Sequence, residues 1–222
     1  AWREMAKQIA HEIKNPLTPM KLNVQHLQRT FEEGKPDPEL VERVSLTLIE
    51  QIDSLSAIAN EFSDFAKMPR AKAAPVELGR LLENLVQLFQ NAEKARIRLE
   101  TRVEKEVKVL GDKEQLMRVF INLIKNSLQS IPEGRKGEIR IVLDTEPGDK
   151  ALVLVADNGK GIPEEIRDRL FQPNFTTKSA GMGMGLAISN NMVRSMGGRI
   201  WYETRLGEGT TFFIELPLIV DN

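Results

Sequence analysis

A histidine, a carboxylate and an amide lie close together near the start of the 222-residue chain, in the stretch His11-Glu12-Ile13-Lys14-Asn15-Pro16. A helix turns by about 100° per residue, which places His11 and Asn15 opposite the apolar stripe of that segment, with Glu12 beside them. An exposed neutral imidazole is a good nucleophile near pH 7, and a neighbouring carboxylate can orient the ring and accept its proton. The alternative is an ordinary solvated histidine, which is how we interpret His26, because no comparable cluster surrounds it.

Two asparagines and a glycine-rich turn could bind a phosphorylated ligand. Asn122 and Asn126 are four residues apart and share one face of a predicted helix. Neutral amide oxygens suit a hydrated Mg²⁺ that phosphates also hold, but amides at this spacing are common on surfaces. Asp157 ends a predicted strand and can accept a hydrogen bond from an amino group, while Gly159 and Gly161 let the backbone approach a flat ligand. An ordinary turn is the alternative for this second motif.

A third motif, Gly181-Met182-Gly183-Met184-Gly185-Leu186, opens a predicted helix and could bind phosphate through backbone N–H groups. A dinucleotide-binding fold is excluded, because residues 175–180 are not strand-like and the final x-x-Gly spacing is missing. A P-loop is excluded because the chain contains no Gly-x-x-x-x-Gly-Lys-Ser/Thr stretch.

The elements that must position these residues fall into two regions. Only one of the 15 glycines, Gly34, precedes residue 68, which predicts that residues 1–67 are almost entirely helical. Apolar residues recur at helical spacing over residues 9–31 and again over residues 40–66. The turn between these stripes contains Gly34 and two prolines, and Asp37 can cap the second helix.

Two further features concern the helical region. Pro16 and Pro19 do not shift the phase of the first stripe, which predicts a kinked but continuous helix. One hairpin has too little interior to bury both stripes, so we expect two copies of the chain to pair as a four-helix bundle. Docking of the hairpin on its own C-terminal domain is the alternative.

A linker is predicted at residues 68–75, and residues 76–222 alternate between helical and strand patterns. They predict an α+β sandwich in which one mixed sheet carries helices on one face. The predicted helices begin at Val76, after an Asp112 cap, at Pro163 and at Gly185; the predicted strands cover residues 97–103, 107–110, 139–143, 151–156, 199–204 and 210–216.

Composition excludes several other classes of protein. The chain has no cysteine, which removes disulfides and thiolate metal sites, and its 31 basic and 32 acidic residues argue against bulk nucleic-acid binding. No apolar run reaches the roughly 18–20 residues of a membrane span, so we expect a cytoplasmic chain. Because it begins inside a helical pattern without a capping residue, we expect a sensor, and an inner-membrane anchor if there is one, to lie upstream.

Taken in order, these motifs resemble the transmitter region of bacterial sensor histidine kinases, over essentially the whole chain. The residues of the first motif and of the stretch Phe-Thr-Thr-Lys are most similar to those of nitrogen-regulation-type kinases. The matches are residues 11–16 with the phospho-acceptor box, Asn122 and Asn126 with the asparagine box, Asp157, Gly159 and Gly161 with the first glycine box, residues 171–178 with the phenylalanine box and ATP lid, and Gly181, Gly183 and Gly185 with the second glycine box.

The resemblance implies a HisKA-type dimerisation and phospho-acceptor domain at residues 1–67 and a GHKL-type (Bergerat) ATP-binding domain at residues 76–222. In such a protein ATP binds with Mg²⁺: Asp157 holds the adenine amino group, Asn126 helps to ligate the metal and Asn122 supports the phosphates. The remaining residues implied to contact ATP are Gly159, Gly161, Phe171, Thr177, Lys178, Gly181, Gly183, Gly185 and Leu186.

The implied reaction is autophosphorylation followed by transfer. His11 attacks the γ-phosphoryl group with Glu12 as base or orienting group, and the phosphoryl group then passes to an aspartate of a response regulator receiver domain. Asn15 resembles the residue that orients water for dephosphorylation of that regulator. The implied assembly is a homodimer that binds no nucleic acid and meets a membrane only through upstream segments.

Two residues depart from the pattern of the family, and two alternative functions remain compatible with the sequence. Gln129 stands where many related kinases have lysine or another charged residue, which puts one phosphate contact in doubt, and Met184 replaces a common leucine with little expected effect. A degenerate transmitter that binds nucleotide and acts as a dimeric scaffold is one alternative. An ATPase of the same fold family is the other.

Overall fold

The computed structural model describes residues 2–34, 37–66, 72–172 and 183–219. The two N-terminal helices form one compact unit, and the strands with the remaining helices form a second. The helices are α1 (Trp2–Glu32), α2 (Pro38–Ala66), α3 (Leu78–Leu88), α4 (Lys113–Ser130) and α5 (Gly185–Ser195), with a 3₁₀ helix at Glu164–Arg169. The strands are β1 (Ala74–Glu77), β2 (Ala95–Thr101), β3 (Lys108–Gly111), β4 (Gly137–Glu146), β5 (Lys150–Asp157), β6 (Arg199–Arg205) and β7 (Gly209–Pro217).

The first unit is the predicted helical hairpin. α2 begins at Pro38, and the Asp37 carboxylate accepts a hydrogen bond from the Glu39 N–H at 3.0 Å, which confirms the predicted cap. α1 continues through Pro16 and Pro19, so the predicted continuity of this helix is also confirmed.

The apolar stripes of the hairpin are buried only in part. Leu40, Val44 and Ile58 on α2 are buried, and only 2–6% of their surface stays exposed. Other stripe residues keep between 36% and 57% of their surface exposed, namely Ile13, Leu17, Val24, Phe31 and Ile52. The chain by itself therefore leaves a band of apolar surface along both helices.

The second unit is built on a five-stranded sheet in the order β2-β4-β5-β7-β6. β2 and β4 are parallel and every other pair is antiparallel, so the predicted mixed sheet is confirmed. In β5, Ala151, Val153 and Val155 are fully buried, whereas the alternate Leu152 and Leu154 are partly exposed. α3, α4 and α5 pack against the strands, and the alternation shows that they cover one face of the sheet.

The predicted start of α3 was wrong by two residues. Val76 pairs with Val109 in a second, two-stranded sheet of β1 and β3, and the helix begins at Leu78. Glu77 ends the strand and caps α3, since its carboxylate accepts hydrogen bonds from the Gly79 and Arg80 N–H groups at 2.8 and 2.7 Å. Residues 74 and 75 therefore belong to a strand although the sequence placed them in the linker.

The small sheet also corrects the expectation of a single sheet. β3 pairs with β1, and Val109 forms a further bridge to Leu218 near the end of the described chain. α4 follows β3 directly, and the Asp112 carboxylate accepts from the Glu114 and Gln115 N–H groups at 2.9 and 3.1 Å, as the predicted cap requires. The cap fixes where α4 starts, and the length of α4 places its last turn beside the end of β5.

Candidate functional site

The carboxylate of Asp157, at the end of β5, accepts hydrogen bonds from four groups. Its Oδ2 atom accepts from the Ser127 hydroxyl at 2.9 Å, and its Oδ1 atom lies 3.1 Å from the Ser130 hydroxyl, which shares its one hydrogen with the Ser127 carbonyl at 2.7 Å. The backbone N–H groups of Gly159 and Thr210 also donate to Oδ1, at 2.9 and 3.3 Å. α4 supplies both serines, and the loop after β5 and the start of β7 supply the N–H groups. The carboxylate is therefore held in one orientation where three elements meet.

The two oxygens of this carboxylate are unequally occupied. Among the described residues, three donors face Oδ1 and one faces Oδ2, and each carboxylate oxygen has about two acceptor sites. Oδ2 can therefore accept a further hydrogen bond from a ligand. Recognition of an amino group by Asp157 requires such an oxygen, and the role assigned to Asp157 stays a prediction.

Burial raises the pKa of Asp157 above its usual range, because desolvation disfavours the charged form. The hydrogen bonds from Gly159, Ser127, Ser130 and Thr210 oppose this effect without cancelling it. A half-buried carboxylate with a displaced pKa is typical of functional sites.

The loop after Asp157 has a backbone that needs glycine. Gly161 has a φ of +70°, in the left-handed region, and a Cβ atom there would collide with the carbonyl oxygen of Arg205. The Ile162 N–H then donates to the Thr204 hydroxyl at 2.9 Å. The loop consequently lies directly against the end of β6.

Asn122 and Asn126 lie on the same side of α4, one turn apart, and both are partly exposed. The Asn122 Nδ2 donates to the Ser189 hydroxyl of α5 at 3.0 Å. A Cβ atom at Gly185, the first residue of α5, would collide with the Asn122 Oδ1. The sequence motifs of α4 and α5 are thus in direct contact at this point.

The structure describes part of the predicted second glycine box and phenylalanine box. Gly183 lies two residues before α5, and Leu186 is partly exposed in its first turn. Phe171 packs against Tyr202 and Phe212, with ring centroids 5.9 and 6.5 Å apart. Phe171 is therefore anchored to β6 and β7, on the same two strands that border the Asp157 loop. Thr177, Lys178 and Gly181 lie outside the described residues.

The predicted phospho-acceptor motif lies on α1. His11 and Glu12 are within the helix, although their side chains are outside what the structure describes. Asn15 and Thr18 are exposed, and the Thr18 hydroxyl donates to the Lys14 carbonyl at 3.0 Å, in the same turn as Pro16. The predicted exposure of Asn15 is therefore confirmed.

A metal site made wholly of charged side chains is absent from the described part of the chain, where no three His, Cys, Asp or Glu residues cluster. Asn122 and Asn126 instead offer neutral amide oxygens on the partly exposed side of α4. This donor set fits Mg²⁺ that keeps several waters and shares phosphate ligands.

The sequence-based prediction did not include Ser127, Ser130 or Thr210. A signal for the serines was present, because both fall within the apolar stripe of α4, where Leu116, Phe120 and Leu123 are fully buried. A polar side chain at such a position needs a buried partner. Thr210 had no such signal, because it reaches Asp157 through its backbone N–H.

Two family models match the chain. Residues 1–70 match the His Kinase A (phospho-acceptor) domain, and residues 111–220 match the histidine kinase-, DNA gyrase B- and HSP90-like ATPase domain. The chain belongs to the sensor histidine kinases. The first match covers the helical hairpin of the chain, and the second covers α4, α5 and most of the sheet unit, including Asp157.

Relatives of this chain include nitrogen regulation proteins. The chain is 31% identical to NtrY of Azorhizobium caulinodans over 90% of its length and 26% of that protein. It is 34% identical to a putative NtrY-like sensor histidine kinase of Rickettsia conorii over 98% of its length and 36% of that protein, and 32% identical to sensor histidine kinase ZraS of Escherichia coli over 96% and 45%. The predicted similarity to nitrogen-regulation-type kinases is confirmed. The chain spans between a quarter and a half of these relatives.

Solved histidine kinases share the fold. The nucleotide-free catalytic domain of ThkA superposes with a TM-score of 0.58 at 31% identity, over 66% of this chain and 97% of that domain. ThkA in complex with the response regulator TrrA superposes with a TM-score of 0.70 at 27% identity, over 96% of this chain and 61% of that one. The predicted hairpin and GHKL-type sandwich are thus confirmed.

None of the helices in the described ranges is long and apolar enough to cross a membrane.

Proposed function

We propose that this transmitter region binds ATP at Asp157 and phosphorylates His11. The observation that carries the proposal is the Asp157 carboxylate, which four protein donors orient while its Oδ2 keeps an acceptor site. An oriented, half-buried acceptor suits the exocyclic amino group of adenine. The phospho-acceptor and ATPase domain matches support the same assignment.

The contacts to the rest of the nucleotide are proposed from the sequence motifs, as the resemblance to histidine kinases implies. A Cβ atom at Gly159 would meet the Ser130 hydroxyl, and one at Gly161 would meet the Arg205 carbonyl, so the two glycines let the loop pack closely against α4 and β6 beside the carboxylate. Asn122 supports the phosphates, and Asn126 provides an amide oxygen for Mg²⁺, which when bound neutralises phosphate charge. Backbone N–H groups at the start of α5, after Gly181, Gly183 and Gly185, stabilise the phosphates together with Lys178. Phe171, Thr177 and Leu186 complete the nucleotide contacts.

The reaction needs positioning and charge stabilisation more than covalent chemistry by the protein. His11 attacks the γ-phosphorus of ATP, a nitrogen–phosphorus bond forms, and ADP leaves with the electrons of the broken bond. Glu12 orients the imidazole or accepts its proton. The reaction takes place in the cytoplasm, where ATP is available.

A homodimer is proposed from the exposed apolar band of the first unit. Ile13, Leu17, Val24, Phe31 and Ile52 retain more than a third of their surface in the single chain. A contiguous apolar band of this kind marks an interface, and a second hairpin would bury it in a four-helix bundle.

The second substrate is proposed to be an aspartate on a response regulator receiver domain. The similarity to a histidine kinase solved with a response regulator supports this partner. Asn15 is exposed one helical turn beyond His11, where it can orient a water molecule for dephosphorylation of the regulator. Asn15→Ala should therefore keep autophosphorylation and lose regulator dephosphorylation, and an equal loss of both would contradict this division of roles.

The test is incubation with radiolabelled ATP and Mg²⁺. We expect an acid-labile, base-stable label that disappears in His11→Gln and persists in the matched control His26→Gln, which alters an exposed histidine on the same helix. Bound nucleotide without any label would favour a scaffold. ATP turnover that survives in His11→Gln would favour an ATPase.

A further inference from the structure

The connection between α4 and β4, residues 131–136, contains a tight turn. The Arg135 N–H donates to the Pro132 carbonyl at 3.2 Å, and Gly134 has a φ of +79°. A positive φ at the third residue is the signature of a type II turn. The turn places the Arg135 side chain beside the loop that follows Asp157.

A single nitrogen of Arg135 lies within hydrogen-bond distance of three backbone carbonyls. Its Nη1 is 2.7 Å from the Asn158 oxygen, 2.9 Å from the Gly159 oxygen and 3.1 Å from the Gly207 oxygen. The first two carbonyls belong to the Asp157 loop, and the third belongs to the turn between β6 and β7. Because Nη1 carries two hydrogens, the three carbonyls share them.

Arg135 is linked to the Asp157 carboxylate through one residue. Gly159 accepts from Arg135 with its carbonyl and donates to the Asp157 Oδ1 with its N–H, both at 2.9 Å. On the other side of the loop, the Gly207 N–H donates to the Lys160 carbonyl at 2.8 Å. Arg135 thus contacts both the Asp157 loop and the β6–β7 turn that lies against it.

The guanidinium contacts lie near the surface. Those to Asn158 and Gly207 are exposed, and that to Gly159 is partly buried. Water can replace a lost donor at exposed carbonyls, so removing the side chain should loosen the loop without unfolding the domain. The Asn158 side chain ties the loop independently to β4 and its preceding connection, since it accepts from the Glu138 N–H and donates to the Lys136 carbonyl.

We propose that Arg135 is a positioning residue of the nucleotide site, which holds the Asp157 loop in the conformation that receives the base. The inference rests on the proposed ATP site and adds a residue outside the sequence motifs. Arg135 acts through the backbone of Gly159, and its charge is not used on the phosphates. Loss of Arg135 therefore weakens binding of any ligand that carries adenine, whether or not it carries phosphate.

The test compares Arg135→Gln with Arg140→Gln, which removes a surface guanidinium of β4 that pairs with Glu100 at 3.9 Å. Calorimetry with ATP and with adenosine should show about tenfold weaker binding of both ligands to Arg135→Gln and unchanged binding to Arg140→Gln. In the autophosphorylation assay, KM for ATP should rise by a similar factor while kcat at saturation is unchanged. A loss confined to ATP would assign Arg135 to the phosphates and overturn the proposal, as would unchanged affinity for both.

Hydrogen exchange of the nucleotide-free protein separates this inference from the ATP assignment. The backbone amides of residues 159–161 and 207 should exchange faster in Arg135→Gln than in the wild type, and Arg135→Lys should restore part of the protection. If the wild type bound no nucleotide, the proposed function would fail, and the exchange rates alone would decide whether Arg135 holds the loop. Equal exchange in Arg135→Gln and wild type would contradict the proposal.

Discussion

The Ser127 hydroxyl donates a hydrogen bond to the Asp157 Oδ2 over 2.9 Å, which joins the last turn of α4 to the end of β5. Ser127 is fully buried, so water cannot take its place as a donor. The oxygen that is free to accept from a ligand is therefore oriented by a side chain that the ligand does not reach.

Ser127→Ala removes this donor and leaves the half-buried Asp157 carboxylate with one hydrogen bond fewer. Because a hydrogen bond to the charged form lowers a carboxyl pKa, its loss should raise the pKa of Asp157 further. We expect about three- to tenfold weaker ATP binding at neutral pH, and a steeper loss of affinity as the pH falls. Calorimetry across pH measures both effects. Ser195→Ala is the control, because its hydroxyl donates to the Met192 carbonyl in the last turn of α5. Equal losses in both variants would refute the role of Ser127.

Gly161→Ala should abolish tight nucleotide binding. The substitution places a Cβ atom against the Arg205 carbonyl and also enforces a left-handed conformation on alanine. Gly148→Ala is a matched control, because Gly148 has a φ of +88° and open space around its Cβ position. Both variants should lose about 1 kcal/mol of stability from backbone strain. Gly161→Ala should lose more than Gly148→Ala, because its Cβ atom also meets the Arg205 carbonyl, and it alone should lose ATP affinity by more than about tenfold. Similar affinities in thermal-shift and calorimetric titrations would show that this loop does not contact the ligand.

Val24→Glu should dissociate the proposed dimer. Val24 lies on the exposed apolar stripe of α1, and a buried carboxylate without a partner opposes association. Leu22→Glu is the control, because Leu22 is also exposed but lies roughly 200° away around the helix. Analytical ultracentrifugation should give a monomer for Val24→Glu and a dimer for Leu22→Glu. A dimer in both cases would place the interface elsewhere.

Glu215 should make the stability of the sheet unit depend on pH. Burial opposes its ionisation, but hydrogen bonds and charges from Lys150 and Arg199, at 2.8 and 2.6 Å, outweigh burial and lower the pKa of Glu215. A depressed folded-state pKa contributes stability above the unfolded value of about 4.3, and that stability is lost as the pH falls through the folded pKa. Glu215→Gln should therefore lower the free energy of unfolding by about 1–3 kcal/mol at pH 7, a range that allows for the solvent screening of both exposed partners. The loss should be smaller in acid.

Urea unfolding of the full chain at pH 7 and in acid measures this difference. Glu203→Gln, on the exposed side of β6, is the matched control and should change the free energy of unfolding by less than about 0.5 kcal/mol. A cost for Glu215→Gln that is the same at both pH values would show that packing, and not charge, accounts for the effect.

Most of the fold could be predicted from local signals in the sequence. Such signals depend on only a few neighbouring residues, so they can be recognised without knowledge of the tertiary structure. Asp112 caps α4 and Asp37 caps α2 as expected, since an N-cap needs only a side-chain oxygen and the next turn of backbone. The pairing of Val76 with Val109 was missed, because it joins two short strands across more than thirty residues and involves a segment that resembles a linker.

The residues of the site likewise fall into one group that could be predicted from the sequence and one that could not. Asp157, Gly159 and Gly161 stand in one motif, so their proximity follows from the chain itself. Ser127 reaches Asp157 only because α4 ends beside β5, and Arg135 reaches the same loop only because a turn follows α4. The apolar stripe of α4 indicates that Ser127 needs a buried partner, but which partner it meets depends on the packing of helix on sheet, which no local pattern encodes.

The central claim is that ATP held at Asp157 phosphorylates His11, and peptide mapping by mass spectrometry tests it most directly. Wild-type protein incubated with ATP and Mg²⁺ should carry a phosphoryl group on His11 and none on His26. Asp157→Asn should lower the yield by more than about tenfold, while Asp144→Asn, a carboxylate change on β4 of the same sheet, should leave it unchanged. Phosphorylation of His11 that persists undiminished in Asp157→Asn, or modification at another residue, would contradict the account.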